Sequence, residues 1–247
     1  MFTEAIILLA GQGTRLRPLT DNLHKALIDV GGLSILERQL CQLARLGITK
    51  AQLILGYRAD EVRTFALSVA PQTLSLSFAE NARYDKTNTG ASLLIALKEV
   101  TSDFLLMDGD VIMEDALLAQ VLEPGSACLL LCDMDRSKLD SEAVRFSVTV
   151  NGNINALSKH VPMTDSIGES IGIGLFKAAC RAPLMACLTD SLNDPAKQNW
   201  YYEDALNAIL SKQLNDFPQL LPIATGNYHW VEVDDHQDLA RAKEMFS

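Results

Sequence analysis

The sequence of 247 residues lacks any apolar run that approaches the roughly 20 residues of a membrane-spanning helix. It also lacks a basic leader with a small-residue cleavage site, because the N-terminus passes directly into the apolar residues 5–9. We therefore expect the protein to stay in the compartment where it is made, the cytoplasm. With 48% hydrophobic and 21% charged residues, the chain has the balance of an ordinary globular protein with a substantial core.

Cysteine is scarce and follows no metal-binding or redox pattern. The chain has five cysteines, an odd number, and no two of them form a CxxC pair. Cys128 and Cys132 flank an apolar run with no histidine nearby, so we interpret them as small buried hydrophobic residues. The sequence therefore argues against a disulfide framework and against a structural zinc site.

Positive charge is also in short supply. Lys and Arg number 21 against 31 Asp and Glu, which gives a formal net charge of −10. Nucleic acids and anionic membranes repel such a chain unless it carries a strong local basic patch. We therefore expect neither of them as a partner.

What the sequence does contain is an alternation of strand-like and helix-like segments in its first half. Ser34 and Glu37 form a capping-box signature, and Gly47 is a stop signal for the helix that follows them. The repeated βα units predict a mainly parallel sheet with helices on both faces. The other predicted elements of this half are strands at residues 5–9, 51–55, 74–78 and 104–107, and helices at residues 60–68 and 91–100.

The second half changes character. Residues 146–150 and 153–157 predict a hairpin, because Asn151 and Gly152 readily adopt the positive φ values of a tight turn. We also predict strands at residues 170–176 and 229–233, a helix at residues 203–214, and a last helix from Asp235 to residue 245. The sequence shows no repeat or linker. It predicts one α/β domain over residues 1–247, with a doubly wound, mixed but mainly parallel sheet and a small β-rich insertion at about 140–180.

The most informative segment is the glycine-rich stretch at residues 9–18, which reads LAGQGTRLRP. Its glycines let backbone N–H groups approach phosphate oxygens that side chains would otherwise block. Arg15 can bind a phosphate through two parallel hydrogen bonds, and Lys25 can place a charge near a phosphorus under attack. This chemistry indicates a phosphate-binding loop, and the alternative is a tight turn with solvated arginines.

Two other glycine motifs do not fit this segment. A dinucleotide-binding fingerprint needs glycine where the chain has Leu16, and a helix that starts at once, which Pro18 disfavours. A Walker A loop ends in Gly-Lys-Ser/Thr, which is absent here.

Two pairs of acidic residues are candidates for holding a metal ion. Asp108 and Asp110 follow a predicted central strand, at the edge where open α/β sheets bind ligands. Glu232 and Asp234 alternate along a predicted strand and so point to the same side of it. Carboxylate oxygens are ligands that Mg²⁺ prefers. The alternatives are a simple turn for the first pair, and an exposed strand face with a helix cap for the second.

At these residues the sequence resembles the nucleotidyltransferase superfamily, which includes sugar-phosphate nucleotidyltransferases and phosphocholine cytidylyltransferases. The resemblance rests on residues 9–20, on Lys25 and on the Gly–Leu–Glu-Arg stretch within residues 31–38. It implies a Rossmann-like nucleotidyltransferase fold. In the loop, the nucleotide-binding residues that it implies are Leu9, Ala10, Gly11, Gly13, Thr14 and Arg15.

The resemblance also implies a reaction. An ionised phosphate oxygen of the acceptor attacks the α-phosphorus of an NTP in line, and pyrophosphate leaves, so no general base is required. The catalytic residues are then Lys25, Arg15 and Asp110. The implied ligands of a catalytic Mg²⁺ are Asp110, Glu232 and Asp234, with Asp108 as an additional candidate.

The choice of nucleotide depends on residues 81–93. Asn88 and Ser92 are short polar groups that can contact a base edge, and Gly90 allows close approach. This pattern, together with His24 where most sugar enzymes carry proline, resembles the phosphocholine and aminoalkylphosphonate cytidylyltransferases. The alternative is a turn followed by a helix N-cap.

An acceptor with an ammonium group needs acidic groups and aromatic faces around it. Residues 200–204 read WYYED and resemble a Tyr-Tyr-Glu-Asp stretch in the cytidylyltransferase branch. The predicted acceptor-binding residues are Glu169, Tyr201, Tyr202 and Glu203. The alternative places the aromatic residues in the core or an interface, and we interpret His160 and His229 as structural.

The sequence therefore favours an enzyme that transfers CMP from CTP to a phosphorylated amino-alcohol or an aminoalkylphosphonate. The first alternative is a sugar-1-phosphate nucleotidyltransferase that uses UTP, GTP or dTTP. The second is a nucleotide-sensing protein that has kept the fold without turnover. It is disfavoured because Arg15, Lys25, Asp110 and Asp234 are all present.

Overall fold

The computed structural model of the protein describes residues 4–123, 125–212 and 217–247. The strands are β1 (Glu4–Leu9), β2 (Asp29–Val30), β3 (Leu33–Ser34), β4 (Lys50–Leu55), β5 (Ser75–Glu80), β6 (Phe104–Asp108), β7 (Val111–Met113), β8 (Cys128–Asp133), β9 (Arg145–Val148), β10 (Ile154–Ser158), β11 (Gly168–Phe176), β12 (Leu220–Ala224) and β13 (Trp230–Glu232). The α-helices are α1 (Ile35–Arg45), α2 (Ala59–Val69), α3 (Thr89–Ala96), α4 (Asp115–Val121), α5 (Arg181–Asn193), α6 (Tyr202–Ser211) and α7 (His236–Phe246).

Strand β1 lies at the centre of the parallel part of the main sheet. It pairs in parallel with β4 and β6, and β4 pairs in parallel with β5. Its neighbouring residues Ile6 and Ile7 are both fully buried because both faces of the sheet are covered. The carboxyl ends of β1 and β6 meet at one edge, where the glycine-rich loop and Asp108 follow them.

Helices cover both faces of this sheet. Leu40 of α1 shares a hydrophobic core with Ile7, whereas Leu93 of α3 and Leu206 of α6 share another core with Ile6. Successive residues of one strand thus enter two different cores. This arrangement confirms the predicted doubly wound α/β fold with a mixed, mainly parallel sheet.

The predicted caps place two of these helices. The Ser34 hydroxyl accepts a hydrogen bond from the backbone N–H of Glu37 at 3.1 Å, and Gly47 follows α1 with a φ of +81°. Asp235 caps α7 by accepting bonds from the backbone N–H groups two and three residues further on. Both helix starts are therefore as the sequence predicts.

The second half adds an antiparallel part to the sheet. Strand β11 pairs antiparallel with β6, β8 and β9, and β9 and β10 form the predicted hairpin, in whose turn Gly152 has a φ of +79°. The structure also contains α4, α5, β8 and β12, which the sequence analysis did not predict. Proline commonly interrupts helices and strands, but both prolines here occupy positions that tolerate it. Pro183 lies in the opening turn of α5. Pro222 lies in β12, an edge strand that pairs only with β8 among the described strands.

Two element boundaries bear on the site. Helix α3 begins at Thr89 rather than at residue 91, because Asn88 caps it. Helix α6 ends at Ser211, and Leu214, the predicted end, lies outside the described residues. Within the described part of the chain, every helix is too short or too polar to cross a bilayer.

Candidate active site

A cavity of about 810 Å³ opens at the carboxyl ends of β1 and β6. It brings together most of the predicted site residues, which come from segments far apart in the sequence. The predicted residues that line it are Ala10, Gly11, Gly13, Thr14, Arg15, Lys25, Asn88, Ser92, Asp108, Asp110, Glu169, Tyr201, Glu203, Glu232 and Asp234. The predicted residues Leu9, Gly90 and Tyr202 do not line it.

The glycine-rich loop forms one wall of the cavity. A Cβ atom on Gly11 would meet no other atom within 4 Å, so the backbone there is open to a ligand. Gly13 has a φ of +61°, which favours glycine, and a Cβ on it would lie 3.0 Å from the Cβ of Lys25. The first glycine therefore leaves room for phosphate oxygens, and the second lets the loop pack against Lys25.

Two buried polar residues hold the loop in place. The Thr20 hydroxyl donates to the carbonyl of Gly13 at 2.8 Å. His24 donates from Nε2 to the carbonyl of Leu9 at 3.0 Å and accepts at Nδ1 from the N–H of Ala26, which assigns the neutral tautomer. Burial lowers the pKa of His24 to about 4, so the ring stays neutral near pH 7. Leu9 therefore contributes a backbone carbonyl that braces the loop, and its side chain belongs to the core.

Four charged residues form a network beside the loop. The Lys25 Nζ atom lies 2.6 Å from Asp110 Oδ2 and 2.8 Å from Asp234 Oδ1. Arg15 Nη2 lies 2.5 Å from the other oxygen of Asp234. Burial lowers the pKa of Lys25, but Asp110 and Asp234 outweigh it, so the pKa is raised and the ammonium keeps its charge.

The same acidic residues could hold a metal ion. Carboxylate oxygens of Asp110, Glu232 and Asp234 all lie within 4.8 Å of one another. The Oδ1 atom of Asp110 is buried and has no hydrogen-bond partner among the described residues. Three clustered carboxylates with an unsatisfied oxygen form a donor set that fits a hard divalent cation such as Mg²⁺.

Backbone pairing and one side chain of α1 hold these acidic residues in position. Strand β13 pairs antiparallel with β7, which sets Glu232 opposite Val111, and Val233 donates its N–H to the carbonyl of Asp110 at 2.9 Å. The Gln39 side chain of α1 donates to the carbonyls of Asp108 and Val111 at 2.8 and 3.0 Å. The turn after β6 and the end of β13 are therefore held at a fixed separation.

Asp108 occupies a different position from the three clustered carboxylates. It lines the cavity next to Glu203, and both side chains have a buried oxygen with no partner among the described residues. A Cβ on Gly172 would lie 2.3 Å from Asp108 Oδ2, so the glycine in β11 is needed for this carboxylate to fit. Asp108 is thus a cavity residue outside the cluster that could hold the metal ion.

The start of α3 forms the wall assigned to the base. Asn88 lines the cavity and its Oδ1 also caps the helix, accepting from the N–H of Thr89 at 2.9 Å. Ser92 accepts a hydrogen bond from Asn81, which lines the cavity as well and was not predicted. The predicted role of Gly90 is corrected, because its N–H donates to the Trp200 carbonyl and a Cβ on it would lie 2.7 Å from that oxygen. Its lack of a side chain serves packing rather than approach of a base.

The two predicted acceptor tyrosines have opposite environments. Tyr201 is 36% exposed and lines the cavity, whereas Tyr202 is 1% exposed and packs in the core with Leu206. The assignment of Tyr202 to the acceptor is therefore corrected. It starts α6, and neighbouring side chains at a helix start point in different directions.

The part of the cavity lined by Glu169 and Tyr201, the predicted acceptor end, contains charged residues that the sequence did not predict. Lys159 places its Nζ 4.8 Å from the ring centroid of Tyr201 and 3.0 Å from Glu142 Oε2. Asp140 also lines this end, and burial, together with Asp133 and Asp140, raises the pKa of Glu169 to about 7. Lys159 directly follows β10, but an isolated lysine at a strand end carries no sequence signal for a site.

Comparisons with known proteins agree with this architecture. The nucleotidyl transferase family model matches residues 4–127, about half of the chain. Over 132 residues the chain is 33% identical to the bifunctional protein GlmU of Methanococcus aeolicus, an alignment that covers 53% of this chain but only 30% of that protein. Over 196 residues it is 29% identical to the UTP–glucose-1-phosphate uridylyltransferase AglF of Haloferax volcanii, with 74% of each chain covered.

Solved structures show the same fold at lower identity. The inositol-1-phosphate CTP transferase of T. maritima superposes with a TM-score of 0.76 at 17% identity, covering 100% of this chain and 98% of that one. The CTP:phosphocholine cytidylyltransferase of Streptococcus pneumoniae superposes with a TM-score of 0.72 at 20% identity, covering both chains completely. These structures show that the fold is shared, and the match of the family model over residues 4–127 shows that the chain belongs to the nucleotidyl transferase family.

Proposed function

We propose that the protein transfers CMP from CTP to a phosphorylated amino-alcohol or an aminoalkylphosphonate and releases pyrophosphate. The observation that carries this proposal is the contact of Lys25 with both Asp110 and Asp234 beside the open backbone of Gly11. A cation, a cluster of carboxylates and a glycine loop in one cavity are the parts that phosphoryl transfer requires.

The residues divide the work by position. Backbone N–H groups near Gly11 and the guanidinium of Arg15 hold the triphosphate, and Lys25 stabilises negative charge on the transferred phosphoryl group. Asp110, Glu232 and Asp234 would hold Mg²⁺, which neutralises charge on phosphate oxygens when bound. The acceptor phosphate is ionised near neutral pH, so positioning replaces a general base.

Polar groups at the start of α3 support a pyrimidine nucleotide. Asn81, Asn88 and Ser92 offer amide and hydroxyl groups to a base edge within one wall of the cavity. The two enzymes whose solved structures are reported above are named as CTP-dependent transferases. We therefore propose CTP as the donor.

The charge of the acceptor end supports a cationic acceptor. Glu142, Glu169 and Asp140 line it together with the aromatic ring of Tyr201, a combination that suits an ammonium group. We propose that residues 140–180 form the acceptor side of a single catalytic domain over residues 1–247. Glu203 lines the cavity between this end and Asp108, and we keep it as an acceptor residue.

A matrix of substrates tests the proposal. Pyrophosphate release is measured for CTP, UTP, GTP and dTTP, each with phosphocholine, 2-aminoethylphosphonate or glucose-1-phosphate, in the presence of Mg²⁺. We expect kcat/KM for CTP with an aminoalkyl acceptor to exceed every other pair by about tenfold or more. Absence of pyrophosphate with all pairs contradicts an enzymatic function and favours a nucleotide sensor.

A sugar-1-phosphate nucleotidyltransferase is the second candidate. The observation in its favour is the match to the Haloferax volcanii uridylyltransferase over 74% of each chain. Preference for UTP, GTP or dTTP with glucose-1-phosphate in the same matrix selects this function instead.

A further inference from the structure

The ammonium group of Lys159 lies where the proposed function places the ammonium group of the acceptor. Its Nζ atom lies 4.8 Å from the ring centroid of Tyr201 and donates to Glu142 Oε2 at 3.0 Å. All three residues line the cavity. A carboxylate beside an aromatic face is the arrangement that binds ammonium ligands, so this cation site is already filled by the protein itself.

We propose that Lys159 is a specificity-determining residue that fills the cation site of Tyr201 and Glu142 until an acceptor carrying both an ammonium and a phosphate displaces it. The inference rests on the proposed function and adds to it a way of selecting zwitterionic acceptors.

The backbone around the cation site is held, so only the lysine side chain has to move. Arg145 is 9% exposed and donates to the carbonyls of Val161 and Asp140 at 2.8 and 2.7 Å, and also to the carbonyl of Lys159. These bonds tie the loop after β10 to the segment that precedes Glu142. The four-carbon stem of lysine is flexible and can swing without disturbing this anchor.

Lys159 faces the reaction centre from the acceptor side. Glu203 lines the same cavity as Lys159. Glu203 in turn neighbours Asp108, which is two residues from Asp110. A lysine that leaves Tyr201 can therefore turn towards the place where an acceptor phosphate must approach the nucleotide.

The proposed exchange requires both charges of the acceptor. A quaternary ammonium without phosphate must expel Lys159 and offers it no new partner. A phosphate ester without an ammonium attracts Lys159 but leaves the carboxylate of Glu142 and the ring of Tyr201 without a cation. Only a zwitterion supplies a partner to each group.

Binding of choline and of phosphocholine tests the inference. Both are titrated calorimetrically into the full chain with Mg²⁺ and no nucleotide, for the wild type and for Lys159→Met. We expect the variant to bind choline about tenfold tighter, because the competing ammonium is gone, and phosphocholine about tenfold weaker. The ratio of the phosphocholine affinity to the choline affinity is then about a hundredfold smaller in the variant than in the wild type.

The chain offers a matched control in Lys197. Its Nζ lies 5.5 Å from the ring centroid of Trp200 and 2.9 Å from Asp194, yet neither it nor Trp200 lines the cavity. Lys197→Met removes the same kind of lysine from the same kind of contact, and we expect both affinities to stay at their wild-type values. Lys159→Gln serves as a second variant if thermal melting shows that the methionine variant is unfolded.

Unchanged or weaker choline binding in the Lys159 variants overturns the inference, since Lys159 is then only a phosphate ligand or a structural residue. Failure of the proposed function gives a different experimental result. In that case the wild type releases pyrophosphate only with sugar phosphates, or with no acceptor, and binds neither choline nor phosphocholine. A wild type that turns over phosphocholine, with variants that gain no choline affinity, removes the inference alone.

Discussion

The two ends of the cavity arrange their charges in opposite ways. At the nucleotide end, Lys25 is shared between Asp110 and Asp234, and Arg15 closes the network at 2.5 Å from Asp234. At the proposed acceptor end, Asp140, Glu142 and Glu169 lie beside two lysines, Lys138 and Lys159. Burial with neighbouring acids raises the pKa of Glu169 to about 7. Under the proposed function, the first end keeps its cations oriented by paired acids for a polyanion, and the second end holds a small excess of acid for a cation.

Loss of Lys25 is the largest expected effect and tests the nucleotide end directly. Lys25→Met should lower kcat by about a thousandfold, because a preorganised charge near the transferred phosphoryl group is removed. Pyrophosphate release under saturating substrates measures it. Lys50→Met, at the exposed start of β4, is the control and should keep wild-type turnover. Full kcat in the Lys25 variant contradicts the assignment of this end.

The carboxylate cluster gives the next largest effect. Asp234→Asn should weaken Mg²⁺ activation by roughly 10- to 100-fold, because one of three clustered carboxylates loses its charge. The Mg²⁺ concentration for half-maximal pyrophosphate release is the measurement. Asp29→Asn is the control, since Asp29 is exposed and does not line the cavity. Equal Mg²⁺ dependence of the two variants would rule out this metal site.

The tyrosine pair sharpens the contrast at the acceptor end. Tyr201→Leu should raise KM for the cationic acceptor by about tenfold without changing stability, because it removes an aromatic face from the cavity. Tyr202→Ala should instead lower the free energy of unfolding by about 3–5 kcal/mol, because it empties a fully buried position. Acceptor titrations and denaturant unfolding separate the two. A reversed pattern contradicts the assignment of Tyr201 to the cavity and Tyr202 to the core.

The smallest expected effect is a pH dependence at the acceptor end. Glu169 has a pKa raised to about 7, so it is a carboxylate above that pH and protonated below it. KM for an aminoalkyl acceptor should therefore rise a few-fold as pH falls from about 8 to about 6. Glu169→Gln should remove the Glu169 component and leave the titrations of Glu203 and of the acceptor phosphate. An identical KM profile in the variant and the wild type disproves the role of Glu169.

Sequence reasoning worked best where one short segment carries both the fold and the chemistry. Gly11, Gly13 and Lys25 could be placed together because a glycine loop after a buried strand leaves few arrangements. Tyr202 and Gly90 were misassigned because residue type does not tell whether a side chain faces a cavity or a core. Lys159 was missed because its partner Tyr201 is distant in sequence and no periodicity links them.

The amino-acid pattern alone determined the βα alternation and predicted a phosphate-binding loop, since both follow from local periodicity and side-chain chemistry. The choice of Asp110, Glu232 and Asp234 as metal ligands came from the resemblance to the nucleotidyltransferase superfamily. The tertiary structure alone decided that Asp110 meets Glu232 and Asp234, because that meeting depends on the pairing of β7 with β13. It also decided that the ammonium group of Lys159 lies over the ring of Tyr201. Contacts between segments distant in sequence arise from sheet register and helix packing, which no single stretch of residues encodes.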